Sequence, residues 1–136
     1  MSLEIVNPAS LGAPKGYSHG VLGPMGGRVL FVAGQPGWDA AEKGPVPGFV
    51  QQFARALDRV LAVVREAGGG PENVARMTVY VTDLNSYRVA LEALGRVWRE
   101  RFDRRYPAMA MVEVSGLVDE GAVVEIEATA VIGGTA

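Results

Sequence analysis

The chain has 136 residues, 49% of them hydrophobic, with 13 Lys and Arg against 15 Asp and Glu. That apolar content excludes disorder, because it offsets chain entropy, and a net charge of −2 argues against a general nucleic-acid or membrane-surface binder. Cysteine is absent and His19 is the sole histidine, which removes disulfides, thiolate metal sites, a Cys nucleophile and a multi-histidine metal site from the chemistry of one chain.

Met1–Glu4 carries no basic or long apolar stretch, so no signal peptide is expected. No run of about 18 apolar residues follows that would span a bilayer. With cysteine absent, a cytoplasmic location is expected. Tyr17–Leu22 reads as a strand, Gly23–Gly27 as a turn, and Arg28–Ala33 as a buried strand rich in Val, Leu and Phe. The two strands are expected to pair as a hairpin. Residues 36–48, with three Pro and three Gly, read as a loop.

Phe49, Phe53, Ala56, Val60, Val64 and Ala67 recur at helical steps, and Gly68-Gly69-Gly70 ends that helix. Val74–Thr82 alternates as a strand, with Ala75, Met77, Val79 and Val81 on one face. A second continuous helix places Leu84, Tyr87, Leu91, Leu94, Trp98 and Phe102 on one stripe. Asp83 or Asn85 starts it and it ends before Pro107. Ala108–Val114 and Ala122–Ile132 read as strands around a connection at Ser115–Gly121.

The order ββ-α-β-α-ββ implies one α+β domain, residues 1–136, with a mixed sheet and both helices on one face. Val123, Val131, Met109 and Met111 lie among other apolar residues. Both faces of the final strands are then partly apolar, and two helices cover only one. The other face calls for a second copy of the chain, since monomers rarely expose a large apolar patch.

Several segments line up with a known family. Lys15-Gly16-Tyr17-Ser18 resembles its G-P-Y-S opening, and Leu30-Phe31-Val32-Ala33-Gly34-Gln35 its L-F-V-S-G-Q strand. Ala67-Gly68-Gly69 followed by Met77–Leu84 resembles A-G … T-V-Y-L-x-D-L. Tyr106-Pro107-Ala108 resembles the start of F-P-A-R-S, and Val124–Ala128 the V-E-I-E-A close. The chain thereby resembles the RidA/YjgF family of reactive-intermediate deaminases, also called the endoribonuclease L-PSP family, over nearly its whole length. The resemblance implies a chorismate-mutase-like fold and a homotrimer, with the sheets forming an inner barrel. It also implies small-metabolite sites between subunits, and hydrolysis of enamines or imines to a carbonyl compound and ammonia without cofactor or metal.

By the same resemblance, Glu125 matches the glutamate that positions water against the C=N carbon. A carboxylate beside an apolar wall can relay protons near neutrality. Tyr17 matches a tyrosine lining the cleft, and Gly34 a position whose backbone amide approaches the ligand. Ala33 stands where the family has serine. His19 stands where relatives often have glutamine, with a structural role as the alternative. Trp38, in the Gly/Pro-rich loop, either caps the cleft or packs on its own scaffold. Gln35 and Glu127 read as structural.

The departure is at Met109, which replaces the arginine of P-A-R-S. Methionine has no donor for a substrate carboxylate, and losing one member of a desolvated charge pair costs about 2–5 kcal/mol. Arg28, Arg76, Arg104 and Arg105 are substitutes by type only. Met111 stands where some relatives carry cysteine. Two methionines imply either a more apolar pocket or packing within the trimer. The sequence therefore favours an imine deaminase with atypical substrate preference. The alternative is a metabolite-binding trimer without chemistry, and a weaker one is an endoribonuclease. Against the last, the basic run Arg99–Arg105 is interleaved with Glu100 and Asp103 and reads as a solvated helix end.

Overall fold

A computed structural model describes residues 3–24, 26–39, 41 and 43–133. Met25 of the expected turn, and Ala40 and Glu42 of the expected loop, lie outside them. Four strands form the main sheet: β3 (Arg28–Pro36), β6 (Val74–Val81), β7 (Ala108–Glu113) and β8 (Val124–Ile132), in the order β3-β8-β6-β7. Only the β6–β7 pair is parallel. Two short ribbons stand apart, β1 (Glu4–Val6) with β2 (Gly20–Leu22), and β4 (Trp38–Asp39) with β5 (Gly44–Pro45). Helices α1 (Phe49–Glu66), α2 (Leu84–Arg88) and α3 (Leu91–Phe102) complete the domain.

The core follows from two periodicities meeting. On β8, Val124, Ile126, Ala128, Ala130 and Ile132 are buried, while Glu125, Glu127, Thr129 and Val131 between them are only half-buried. On β6, Met77, Val79 and Val81 face the same way. Against them lie Phe53, Ala56, Leu57, Val60, Leu61 and Val64 of α1, and Leu94, Trp98 and Phe102 of α3. Each fully buried aliphatic side chain contributes about 1.5–3 kcal/mol. The first helix ends as its glycines imply: Gly68 takes φ +91°, Gly69 N donates to Val64 O at 3.0 Å, and Gly68 N donates to Arg65 O at 2.9 Å. No described helix is long and apolar enough to cross a membrane.

Four expectations are corrected. The first hairpin does not form: β2 is shorter than Tyr17–Leu22 and pairs with β1, while β3 pairs with β8. Ser18 explains the difference. Its backbone N donates to Pro107 O at 3.0 Å and its Oγ donates to Tyr106 O at 2.6 Å, so the segment is held at the β7 edge, opposite β3. The second helix is broken. Asp83 caps α2 by accepting from Asn85 N at 2.9 Å, but Ala90 leaves the helical region at φ −114° and ψ 16°. The break re-phases the stripe, so Leu91 is exposed while Leu94, Trp98 and Phe102 stay buried.

The last two strands are also shorter than expected, ending at Glu113 and starting at Val124. Finally, β7 is registered with Met109 beside Met77 and Met111 beside Val79. Both methionines therefore lie on the helix-covered side, half-buried against the core. The uncovered face is apolar through other residues: Val29 and Phe31 on β3 and Val112 on β7, with Phe31 78% exposed.

Gln52 is a buried polar residue of α1, and it fastens the chain that leads into β8. Its Nε2 donates to Gly121 O at 3.0 Å and its Oε1 accepts from Val123 N at 2.9 Å. Gln52→Leu leaves both backbone groups unpaired, and a loss of about 1–3 kcal/mol is expected. Chemical denaturation should show a lower midpoint with an unchanged slope.

Candidate functional site

The uncovered face of the sheet carries a polar centre ringed by apolar residues. Its first part is a bulge in β3. Val32 pairs with Ala128 and Gln35 with Ile126, so Ala33 and Gly34 together stand opposite Glu127 alone. Gln35 pins the bulge: its Nε2 donates to Ala33 O and its Oε1 accepts from Arg59 Nε, both at 3.1 Å. Gln35 thus has the structural role expected of it. At Gly34, a Cβ would stand 2.6 Å from Glu125 Oε2. Only glycine lets the Glu125 carboxylate lie against this stretch of backbone.

The second part was not legible as a site. Register places Tyr80 beside Glu125, Thr78 beside Glu127 and Arg76 beside Thr129. Tyr80 Oη donates to Glu127 Oε1. That bond, then burial, then the negative charges of Glu127 and Glu125 raise the Tyr80 phenol above its ordinary value of 10.0, with Arg76 opposing. A hollow of about 310 Å³ is lined by Phe31, Arg76, Thr78, Glu127 and Thr129. The signal was the alternation Arg76-Thr78-Tyr80 on the polar side of β6, but only the pairing with β8 turns it into a cluster. Glu127 is engaged by Tyr80. Among the described residues no side-chain hydrogen bond or ion pair engages Glu125, so its carboxylate is available to orient a water or accept a proton.

The remaining expected residues sit elsewhere. Tyr17 packs edge-on to His19, ring centroids 5.3 Å apart. His19 Nε2 lies 3.1 Å from Gly12 O, to which it donates in the tautomer protonated there, and its backbone N donates to Asn7 Oδ1 at 2.7 Å. Those contacts make His19 a fastener of the N-terminal segment. Trp38 pairs with Pro45 in the small ribbon β4–β5, next to Asp39, which lies 3.6 Å from Arg55 of α1.

One chain unites Ala33, Gly34 and Glu125 but does not bring Tyr17 to them. Ser18 bridges to Ala108, whereas Glu125 stands in the row of Tyr80 and Val112. Those rows are four residues apart on β7, roughly 13 Å. Of the arginines, Arg28 donates to Ala67 O at the end of α1, Arg76 faces the open side, and Arg104 and Arg105 line a separate groove. In the basic run, Arg101 is paired with Asp58 through Nε at 2.7 Å and Nη2 at 3.3 Å, which binds α3 to α1.

The family described as endoribonuclease L-PSP matches residues 8–132. The chain is 35% identical over 127 residues to the 2-iminobutanoate/2-iminopropanoate deaminase of Capra hircus, covering 93% of this chain and 85% of that one. Among solved structures, it is similar to the Rid-family protein YyfB of Yersinia pestis, with a TM-score of 0.81 and 30% identity over 97% of this chain and 100% of that one. It is also similar to E. coli TdcF with bound serine, with a TM-score of 0.68 and 29% identity over 88% and 91%.

The Tyr80 shift gives a pH test. Folding favours the neutral phenol, so its contribution is complete below pH 10 and is lost as pH rises through the higher folded-state value. Spectrophotometric titration should show one phenol ionising above pH 10, and Glu127→Gln should move that transition down towards 10. A titration curve unaltered by Glu127→Gln would contradict the arrangement.

Proposed function

The chain belongs to the endoribonuclease L-PSP family, also called RidA/YjgF, and on that premise we propose that it hydrolyses carbon–nitrogen double bonds of small metabolites in the cytoplasm. The observation that carries this reading is the unengaged Glu125 carboxylate lying against the Gly34 bulge. Water, oriented by Glu125, adds to the imine carbon while the carboxylate takes its proton. The nitrogen of the resulting carbinolamine is protonated, the C–N bond breaks, and the carbonyl compound and ammonia leave. Imine plus water gives carbonyl plus ammonia, with no other reactant.

In this proposal the site is completed by a homotrimer with the sheets inside and the helices outside. The separation of Tyr17 from Glu125 in one chain supports it, because a neighbouring copy can supply the missing tyrosine. Tyr17 then acts with Glu125 on the water, and Gly34 and Ala33 shape the near wall of the cleft. Met109, next to the Ala108 that bridges to Ser18, comes with Tyr17 from the β7 edge of the neighbouring copy. Met109 has no donor for a substrate carboxylate, which favours imines that do not depend on that charge pair. The same residue favours a second reading, in which the trimer binds a small metabolite without turning it over. Cleavage of RNA has the least support, since Arg101 is committed to Asp58.

Imines generated in solution by an amino-acid oxidase, with ammonia release followed, separate these readings. Acceleration over buffer that Glu125→Gln abolishes is the expected result. No acceleration on any acidic or neutral imine leaves only the binding reading. Met109→Arg should raise the rate on carboxylate-bearing imines by about 30-fold or more, the equivalent of at least 2 kcal/mol; no gain would mean that Met109 is not what sets the preference.

A further inference from the structure

A groove of about 740 Å³ runs between the N-terminal segment and the turn that leads into β7. Its apolar lining includes Ile5 and the rings of Tyr17 and Tyr106, and its charge comes from Arg104 and Arg105. We propose that this groove binds a small carboxylate with an apolar or aromatic body.

Three features make it a built site. The turn is rigid: Trp98 Nε1 donates to Arg105 O and Arg105 N donates to Phe102 O, both at 3.0 Å. Trp98 stacks on Phe102 and Tyr106, with centroids 4.2 Å and 5.9 Å away. Asp103 sits at φ +55°, a conformation that a non-glycine residue keeps only where its surroundings impose it. The opposite wall is fixed to this turn by Ser18, which is 5% exposed and bonds to both Tyr106 O and Pro107 O. Tyr17 is therefore held at a set distance from the arginines.

The charge is also uncommitted. Among the described residues neither Arg104 nor Arg105 has an ion-pair partner. A planar guanidinium recognises a carboxylate through paired N–H donors, and the rings give a flat apolar body a surface to lie on. Glu72 also lines the groove, so a bound carboxylate is confined to the arginine end. Glu125, Gly34 and the open sheet face take no part; Tyr17 is shared with the proposed imine cleft, whereas the arginines that supply the charge belong to this groove alone.

The test is binding, read residue by residue in ¹⁵N amide spectra during titration with phenylacetate and, separately, its uncharged counterpart phenylacetamide. Saturable shifts at Tyr17, Ser18 and Arg105 with phenylacetate are expected, with affinity falling as salt is added. The R104A/R105A variant, altered only at exposed side chains, should bind phenylacetate about ten-fold or more weakly. Absence of binding, equal affinity for the amide, unchanged affinity in R104A/R105A, or shifts centred on Gly34 and Glu125 would each overturn the proposal.

Discussion

Strand β8 imposes the constraint on which the rest of the molecule depends. It lies inside the sheet between β3 and β6, and its side chains alternate without interruption from Val124 to Ile132. Because the strand period is two, whatever points away from α1 must point to the other face. The apolar set closes the core against the helices, and Glu125, Glu127 and Thr129 are thereby placed together on the open side. A one-residue slip would bury two carboxylates and expose Ile126 and Ile132, so core and candidate site are fixed by the same register.

The open face is not uniformly polar. Phe31, Val29 and Val112 are exposed around the carboxylates, and β3 carries its bulge at the sheet edge, where Gly34 leaves room for Glu125. Such a face is suited to being covered. A polar centre sealed behind an apolar rim would have little bulk water, and charges there act more strongly than on an open surface. The reading of this face as part of a shared cleft rests on that physical argument together with the family to which the chain belongs.

The fold was largely legible because its signals are local and periodic. The stripe of α1, its glycine end and the alternation of Val74–Val81 need only neighbours in sequence. What was missed depends on distant partners. Ser18 draws its segment to Tyr106 and Pro107, 88 residues away for its side-chain bond, and no pattern within Tyr17–Leu22 announces that. The side on which Met109 and Met111 lie depends on pairing with Met77 and Val79, which the sequence of their own strand does not announce. In the candidate site, Glu125 and Gly34 were found through motifs. Tyr80, Arg76 and the partnership of Glu127 became visible only in the register of β6 with β8.

The central claim is that further copies of the chain close the open sheet face, and its most direct test is the mass of the purified protein in solution. Sedimentation equilibrium at micromolar concentration should give three times the 14.4 kDa of one chain. Phe31→Asp, which puts a charge where the claim requires burial, should release the single chain with its helical signal intact. A wild-type protein that sediments as a stable monomer would contradict the account.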